Sequence, residues 1–583
     1  MTRSSVETAM TVLGSGFLAA ALLAAYAFSQ HRFFTVDEFQ YIHATWLVSE
    51  GEVPYRDFYE HHFPLSYVLH APLLWSDGSF PERALGLRLA VFLWWVGCVG
   101  VASAWAARLS GDAKVGLLAG ALGLLLGFSA MSAIDFRADN FGAFLLLAGC
   151  AWLEMNRGAA RRGRAILGGI VLALAIAMTQ KMLFVVGATV VGWWAWDALR
   201  AREGRAPFLP RPGACLAGGL AVGALALALA AAFGVLASGF EITILQAIEH
   251  EALYPAVSGW LYWKPFLAAA PISSALLVLF AGLYFVLARD GFWGVPLAVS
   301  LLGGVLVQAQ YPYNYVFPCL VVALLAARGF GLSLAWLDRR FERVPAWTPL
   351  LYLLAFGLAA DQGRFLLGTT SNAHQLEILS KIERTTGPDD VVIDNSGGAL
   401  FRPHASYYYH HGDAHRLMFE DYFRDELVGD YRESEALLWI MDYRLRELPK
   451  PVHDYFQRHY VRVDGSLFGL GFHLRRGGKS ERTTTIEVVR EGDYYVFPAP
   501  VKLSSGLRRE PRETDLRLDG APLRASRVHL DAGEHEVVVA AGAPGYTVTL
   551  IPPDAFILGE EERFARELDG ARAYQLLFEY EKP

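Results

Sequence analysis

Long apolar runs decide what this chain can fold into. They lie at 10–28, 84–109, 115–134, 141–155, 165–180, 182–199, 215–240, 265–288, 292–309, 316–337 and, shorter than the rest, 348–360. A bilayer core takes roughly 20 apolar residues per helix, so the sequence predicts an α-helical polytopic membrane protein with about eleven transmembrane helices. No small-residue cleavage site separates the first run from the acidic loop after it, and that run is expected to be a retained helix rather than a signal peptide. Composition agrees: 54% of the 583 residues are hydrophobic and 19% are charged, with the apolar excess in the first two thirds. A net charge of −7 without a long basic tract sets nucleic-acid partners aside. Cys98, Cys150, Cys215 and Cys319 lie in or beside apolar runs, as small packing residues do, and give no disulfide or zinc pattern.

Charge orients the bundle. Three connections carry arginine-rich stretches, "RGAARRGR" (157–164), "RAREGRAPFLPR" (200–211) and "DRRFER" (338–343). The positive-inside rule puts these in the cytoplasm. The alternate connections then share the outer face: the acidic opening loop 33–67, "DFRADN" (135–140), a tight turn at Lys181, the loop 241–264 and "QAQYPYNY" (308–315). With an odd number of spans the polar tail is also outside, so the expected location is the plasma (inner) membrane, multi-pass, with an extracytoplasmic C-terminal domain. If 348–360 does not cross, the tail moves to the cytoplasm.

The tail divides in two. From about residue 372, short apolar runs such as "DDVVIDNS" and "ALLWIMDY" alternate with helix-like stretches such as "HQLEILSKIERT", the pattern of a small α/β unit. From about residue 483, "TTIEVVREGDYYVF", "DLRLDGAPL", "RVHLDAGEHEVVVAAG" and "YTVTLIPP" alternate apolar and polar residues between turn signals, as a small β-sandwich does. The expected organisation is a membrane domain at 1–360, an α/β domain at 361–478 and a β-sandwich-like domain at 479–583.

Titratable residues gather in the outer connections. Asp37 and Glu38 follow the first helix, "SEGEVPYRDFYEHHFPL" (49–65) comes next, Arg137 and Asp139 stand in the second loop, and Lys181 occupies a tight hairpin. This combination resembles the GT-C class of polyprenyl-phosphate-sugar-dependent glycosyltransferases. Within that class it is most similar to the family that groups bacterial lipid A and lipopolysaccharide-core glycosyltransferases with protein O-mannosyltransferases and the aminoarabinose transferase. The resemblance covers roughly the first 320 residues. It implies a GT-C-like catalytic domain, a polyprenyl-phosphate-linked sugar donor, and a glycan, lipid or protein acceptor.

An acceptor hydroxyl is a poor nucleophile until a base takes its proton, so such an enzyme needs a carboxylate within hydrogen-bond reach of it. The resemblance maps the family's first-loop aspartate onto Asp37; the residues alone also allow Asp37 to be the N-cap of a helix over 38–48. Glu38 is either its catalytic companion or a complement to that helix N-terminus. Asp139 is the second acid, expected near the acceptor or the donor phosphate. Arg137 either meets a phosphate oxygen or locks Asp139 in place.

Lys181 stands at headgroup depth, where it either offsets the charge of a leaving phosphate or snorkels as an anchor. Tyr313 and Tyr315 occupy a segment that is often basic in relatives; they offer neutral donors toward a phosphate or form an aromatic belt. Tyr55, Glu60, His61 and His62 are candidate substrate-pocket residues. A divalent metal on Glu60 with a histidine is the lesser reading, since adjacent residues seldom chelate one ion together and no spaced partner completes the set. No cofactor is otherwise implied. The reading reached is an inverting membrane glycosyltransferase. A transporter or flippase for a lipid-linked glycan is the alternative, and charges in the middle of spans would favour it.

Overall fold

The computed structural model describes residues 3–157, 161–205, 207–209, 211–253, 257–307, 310–341, 344–367, 371–464, 466–499, 515–523 and 526–552. Each apolar run of the first part is helical. Among the described residues, six helices are long and apolar enough to cross a membrane: Val6–His31, Phe80–Ser110, Lys181–Arg202, Pro212–Ala232, Pro271–Ala288 and Pro312–Arg340. The remaining runs form shorter or less uniformly apolar helices, among them Ala113–Leu125, Ala138–Met155, Arg162–Met178 and Gly294–Leu306. The run 115–134 breaks at Leu126, whose backbone is extended between Ala113–Leu125 and Gly127–Ala133. Leu23, Phe184, Ile272 and Leu306 point outward and are 70–80% exposed. Side chains this apolar on the outside of long apolar helices suit lipid rather than water. The chain is a multi-pass membrane protein with a strand-rich C-terminal part.

Local signals explain the helix ends. Ser79 and Glu82 form a reciprocal capping box at the start of Phe80–Ser110, and Gly111, at φ 65°, ends it. In the opening loop, the helix Val36–Ser49 is capped by the Thr35 hydroxyl, which accepts from the Glu38 N–H at 3.3 Å. Asp37 therefore sits inside the first turn with its carboxylate free of capping duty.

The C-terminal part forms a seven-stranded sheet and a four-stranded sheet. The larger runs in the order Val392–Ile393, Leu438–Ile440, Leu467–Leu474, Gly545–Thr549, Gly492–Ala499 and Arg527–Leu530, with Tyr460–Asp464 also paired to Leu467–Leu474. Its first pair is parallel and the others are antiparallel. The sheet thus crosses residue 478, and the α/β part and the strand-rich part share Leu467–Leu474. The smaller sheet joins Arg482–Val488, Gly533–Val539, Leu516–Leu518 and Ala521–Pro522. Asp519 and Gly520, at φ 48° and 80°, make the two-residue turn that the "DG" pair favours.

This C-terminal region, called the outer region after its expected side, is seated on the opening loop. Gln375 brackets Phe34 with two backbone hydrogen bonds of 2.7 and 2.9 Å, and the Asn372 N–H donates to the His31 carbonyl at 2.9 Å. Gly397, at φ 77°, lies so close to the helix Val36–Ser49 that a Cβ there would stand 3.1 Å from the Gln40 Cα. The loop after Val392–Ile393 can ride on that helix only with glycine at this point.

Candidate active site

Two acids that are adjacent in sequence diverge in space. The Glu38 carboxylate is completely buried, takes Arg88 Nε and Nη2 at 2.8 and 2.6 Å, and accepts from the Phe136 N–H at 3.2 Å. Arg88 also donates to the carbonyls of Ser29, Arg32 and Phe33. One guanidinium thereby closes the end of the first helix, and Glu38 grips the second outer loop. The sequence grouped Glu38 with Asp37 as catalytic; the structure gives its carboxylate no open side. Its effect on the site is to hold the residue before Arg137.

Arg137, so placed, forms an ion pair with Asp37 and lies 3.4 Å from Asp139 Oδ2. Lys181 Nζ approaches the same Asp139 oxygen at 3.3 Å, and the Thr179 hydroxyl donates to the other at 3.3 Å. Four sequence candidates, Asp37, Arg137, Asp139 and Lys181, thus form one chain of alternating charge. Of its two carboxylates Asp37 is the more open, 28% exposed against 7% for Asp139, and Lys181 is 43% exposed. Burial pushes the Asp37 carboxyl up, but the Arg137 guanidinium overrides it and, with the fields of Arg444 and Lys181, holds it below its ordinary value.

Tyr313 completes this group in a way the sequence did not foresee. Its ring lies beneath both cations, 3.7 Å from the Arg137 guanidinium carbon and 4.9 Å from Lys181 Nζ. A π face supports two positive charges without neutralising either. Tyr315 lies apart: its hydroxyl donates to the Gly304 carbonyl at 3.2 Å and its ring packs on Trp263. Two helices also begin here. Arg137 and Gln180 are the N-caps of Ala138–Met155 and Lys181–Arg202, and neither end has a side-chain cap. The positive ends of these helix dipoles add potential at the place where the cations stand.

The substrate-pocket candidates form a buried chain next to this cluster. Glu60 Oε1 meets His62 Nδ1 at 2.8 Å, and His62 Nε2 meets the Tyr41 hydroxyl at 2.8 Å. The Arg137 guanidinium carbon is 5.6 Å from the centre of the Tyr41 ring. Tyr409 of the outer region donates to the other Glu60 oxygen at 3.1 Å. Tyr55, at φ 70°, donates to the His62 carbonyl at 2.5 Å, and Gln180 donates to the His61 carbonyl at 2.7 Å. Tyr55, Glu60 and His62 are buried; His61 is partly exposed.

Glu60, His61 and His62 bring one donor atom each within 4.8 Å of one another. A metal held by Glu60, His61 and His62 Nδ1 would replace the Glu60–His62 hydrogen bond and leave the Tyr41 bond at His62 Nε2 in place.

Sequence reading missed three contributors. Tyr41 looked like one more apolar-stripe residue of its helix. Arg88 is hidden inside an apolar run. Arg444 comes from the outer region, where it donates to the Asn395 carbonyl at 3.2 Å and the Ser396 hydroxyl at 3.3 Å while its charge acts on Asp37. A lone basic residue in an otherwise apolar span is a signal that could have pointed to Arg88; Arg444 left no local signal.

With its helical bundle, a charged cluster at one set of helix ends and a mixed α/β region packed against them, the chain has the GT-C fold. Among solved structures, ArnT from Cupriavidus metallidurans bound to undecaprenyl phosphate matches with a TM-score of 0.52 at 15% identity, over 79% of this chain and 98% of that one. The apo form of the same protein gives 0.51 over the same shares. The archaeal oligosaccharyltransferase AglB from Archaeoglobus fulgidus is a weaker likeness, with a TM-score of 0.44 at 12% identity over 79% of this chain and 74% of that one. No protein-family model matches the sequence, and no curated protein matches it.

Proposed function

We propose that the protein is an inverting glycosyltransferase that moves a monosaccharide from a polyprenyl-phosphate donor to an acceptor hydroxyl at the outer face of the plasma membrane. The observation that carries this reading is the chain Asp37, Arg137, Asp139, Lys181, in which one accessible carboxylate stands beside two cations and two uncapped helix ends. The shared fold with ArnT, solved with undecaprenyl phosphate, supports the class of donor.

Arg137, Lys181 and the helix ends receive the donor phosphate and stabilise its charge as the sugar departs. Asp37 takes the proton of the acceptor hydroxyl. Asp139, engaged by Lys181 and Thr179, keeps the cations aligned. A carboxylate clamped by arginine is a weak base, and a phosphate that draws Arg137 toward itself restores the basicity of Asp37. The base is thus strengthened when the donor is bound. One open carboxylate suits direct displacement, which inverts the anomeric centre.

The test offers the purified protein a panel of polyprenyl-phosphate sugars with candidate lipid, glycan and protein acceptors and measures released polyprenyl phosphate. Release that needs an acceptor, with a product of inverted configuration, supports the reading. Retained configuration removes the single-displacement mechanism.

A further inference from the structure

The far ends of the same helices form a second charged site. The helix Arg162–Met178, 17 residues long, runs from that end toward Thr179 and Lys181. At 1.5 Å per residue it separates the two sites by about 25 Å, close to the thickness of a hydrocarbon core. A shallow cleft opens there, lined by ten residues that include Arg157, Arg161, Arg164 and Arg211 and no carboxylate.

One of the four arginines is already neutralised by an acid, and a second nearby acid is tied to backbone. Asp290 pairs with Arg157 at 2.6 Å, and Asp197 accepts from the N–H groups of Phe208 and Leu209 at 2.5 and 3.1 Å. Arg164 has a neutral partner, the Asn156 side-chain oxygen at 2.8 Å. The floor is apolar, made by Leu153, Phe208 and Cys215, all buried. Arg161, Arg164 and Arg211 around an apolar floor form a site for an anion attached to something greasy.

Backbone dipoles reinforce the charge. Arg161 and Arg211 are the N-caps of Arg162–Met178 and Pro212–Ala232, and neither helix has a side-chain cap. The two helices run parallel and almost touch, because Gly169 faces the Cys215 carbonyl and Gly218 faces the Ile166 carbonyl with no room for a Cβ. Close packing through glycine therefore sets two helix N-termini side by side at the arginine cleft.

We infer that this cleft binds the phosphodiester headgroup of an anionic glycerophospholipid in the cytoplasmic leaflet. The side of the membrane rests on the topology of the proposed function; the chemistry of the ligand does not. Basic pockets between membrane helices on that side recognise anionic headgroups, with guanidinium forks on the phosphate and apolar wall against the glycerol and first methylenes. A free phosphate shares the anionic part of this chemistry but makes no use of the apolar floor.

The experiment uses the full-length protein in neutral detergent, with native mass spectrometry and thermal unfolding as readouts. Short-chain phosphatidylglycerol, short-chain phosphatidylcholine and inorganic phosphate are titrated in parallel. The expected result is tighter binding of phosphatidylglycerol than of phosphatidylcholine, by about tenfold or more, with a rise in melting temperature that inorganic phosphate does not reproduce. The double variant Arg161→Gln, Arg211→Gln loses this preference, and Arg161→Lys, Arg211→Lys keeps most of it. Equal binding of the two lipids by the wild type, or a preference unchanged in the Gln variant, overturns the inference. So does inorganic phosphate matching phosphatidylglycerol, since the site is then one for free anions. Should the Gln variant fail to fold, the wild-type comparison of the two lipids still decides. Lipid binding without sugar transfer would sink the functional reading alone.

Discussion

Asp37 and Arg137 stand 100 positions apart in the chain and form a direct ion pair in the structure. The pair joins the first turn of the opening-loop helix to the N-cap of Ala138–Met155, and it sets the protonation state of the proposed base.

The base acts when deprotonated, and Arg137 holds its pKa below the ordinary value of 3.8. The acid limb of kcat/KM, which reports the free enzyme, therefore lies below the usual carboxylate range. The limb of kcat lies higher, because bound donor draws Arg137 away. Arg137→Gln removes the largest charge that opposes burial, leaving only the fields of Arg444 and Lys181, and moves the kcat/KM limb upward. In initial rates from about pH 4 to pH 8, wild type should show no acid limb of kcat/KM and the variant should show one; a variant without a limb in this range contradicts it.

Glu38→Gln acts on stability first. The buried pair with Arg88 loses its charge balance, a change that typically costs about 3–5 kcal/mol. The expected outcome is a lower melting temperature in detergent with weakened seating of the second outer loop. A variant with full stability and no transfer would instead return Glu38 to the chemistry.

His43 and His404 couple the outer region to pH. Their rings meet at 3.3 Å between Nε2 and Nδ1, and His43 Nδ1 lies 2.9 Å from the Leu400 carbonyl oxygen. Burial lowers His43 to about 4 and His404 to about 3, from 6.5. Both are neutral in the fold, so the stability they contribute is complete above pH 6.5 and declines as pH falls from there toward the folded values. Limited proteolysis of the outer region across that window should show faster cleavage at the acid end. His43→Gln should flatten the profile.

Arg444→Gln tests whether the outer region takes part in the site. Its charge acts on Asp37 less than that of Arg137 does. The acid limb of kcat/KM should move upward by less than in Arg137→Gln, with the sheets intact by circular dichroism. No movement would confine Arg444 to packing around Asn395 and Ser396.

Much of the architecture was legible because it follows from short-range pattern. Apolar runs of helix length became helices, and the alternation in "EVVREGDYYVF" became the strands Arg482–Val488 and Gly492–Ala499, which join different sheets. The count of eleven crossings was less legible, since Leu126 splits one run and several helices are short. In the site, Asp37 is singled out by its place after the first helix and by the resemblance. Thr35, two positions earlier, turned out to be the cap, so the capping alternative for Asp37 falls away. The divergence of Glu38 could not be seen, because its partner Arg88 is 50 residues away and reads as one charge in an apolar span. Tyr313 was read as a hydrogen-bond donor or belt residue, while its ring face is what meets the cations. The Glu60, His62, Tyr41 chain depends on a loop returning to a helix, which no spacing rule encodes.

The central claim is that Asp37 is the base and the cations beside it hold the donor. Single-turnover transfer and donor binding, measured together on wild type and Asp37→Asn, test it most directly. The account predicts that the variant binds the polyprenyl-phosphate donor within a few-fold of wild type and transfers sugar slower by about 10²–10⁴. Transfer at the wild-type rate by Asp37→Asn would contradict it.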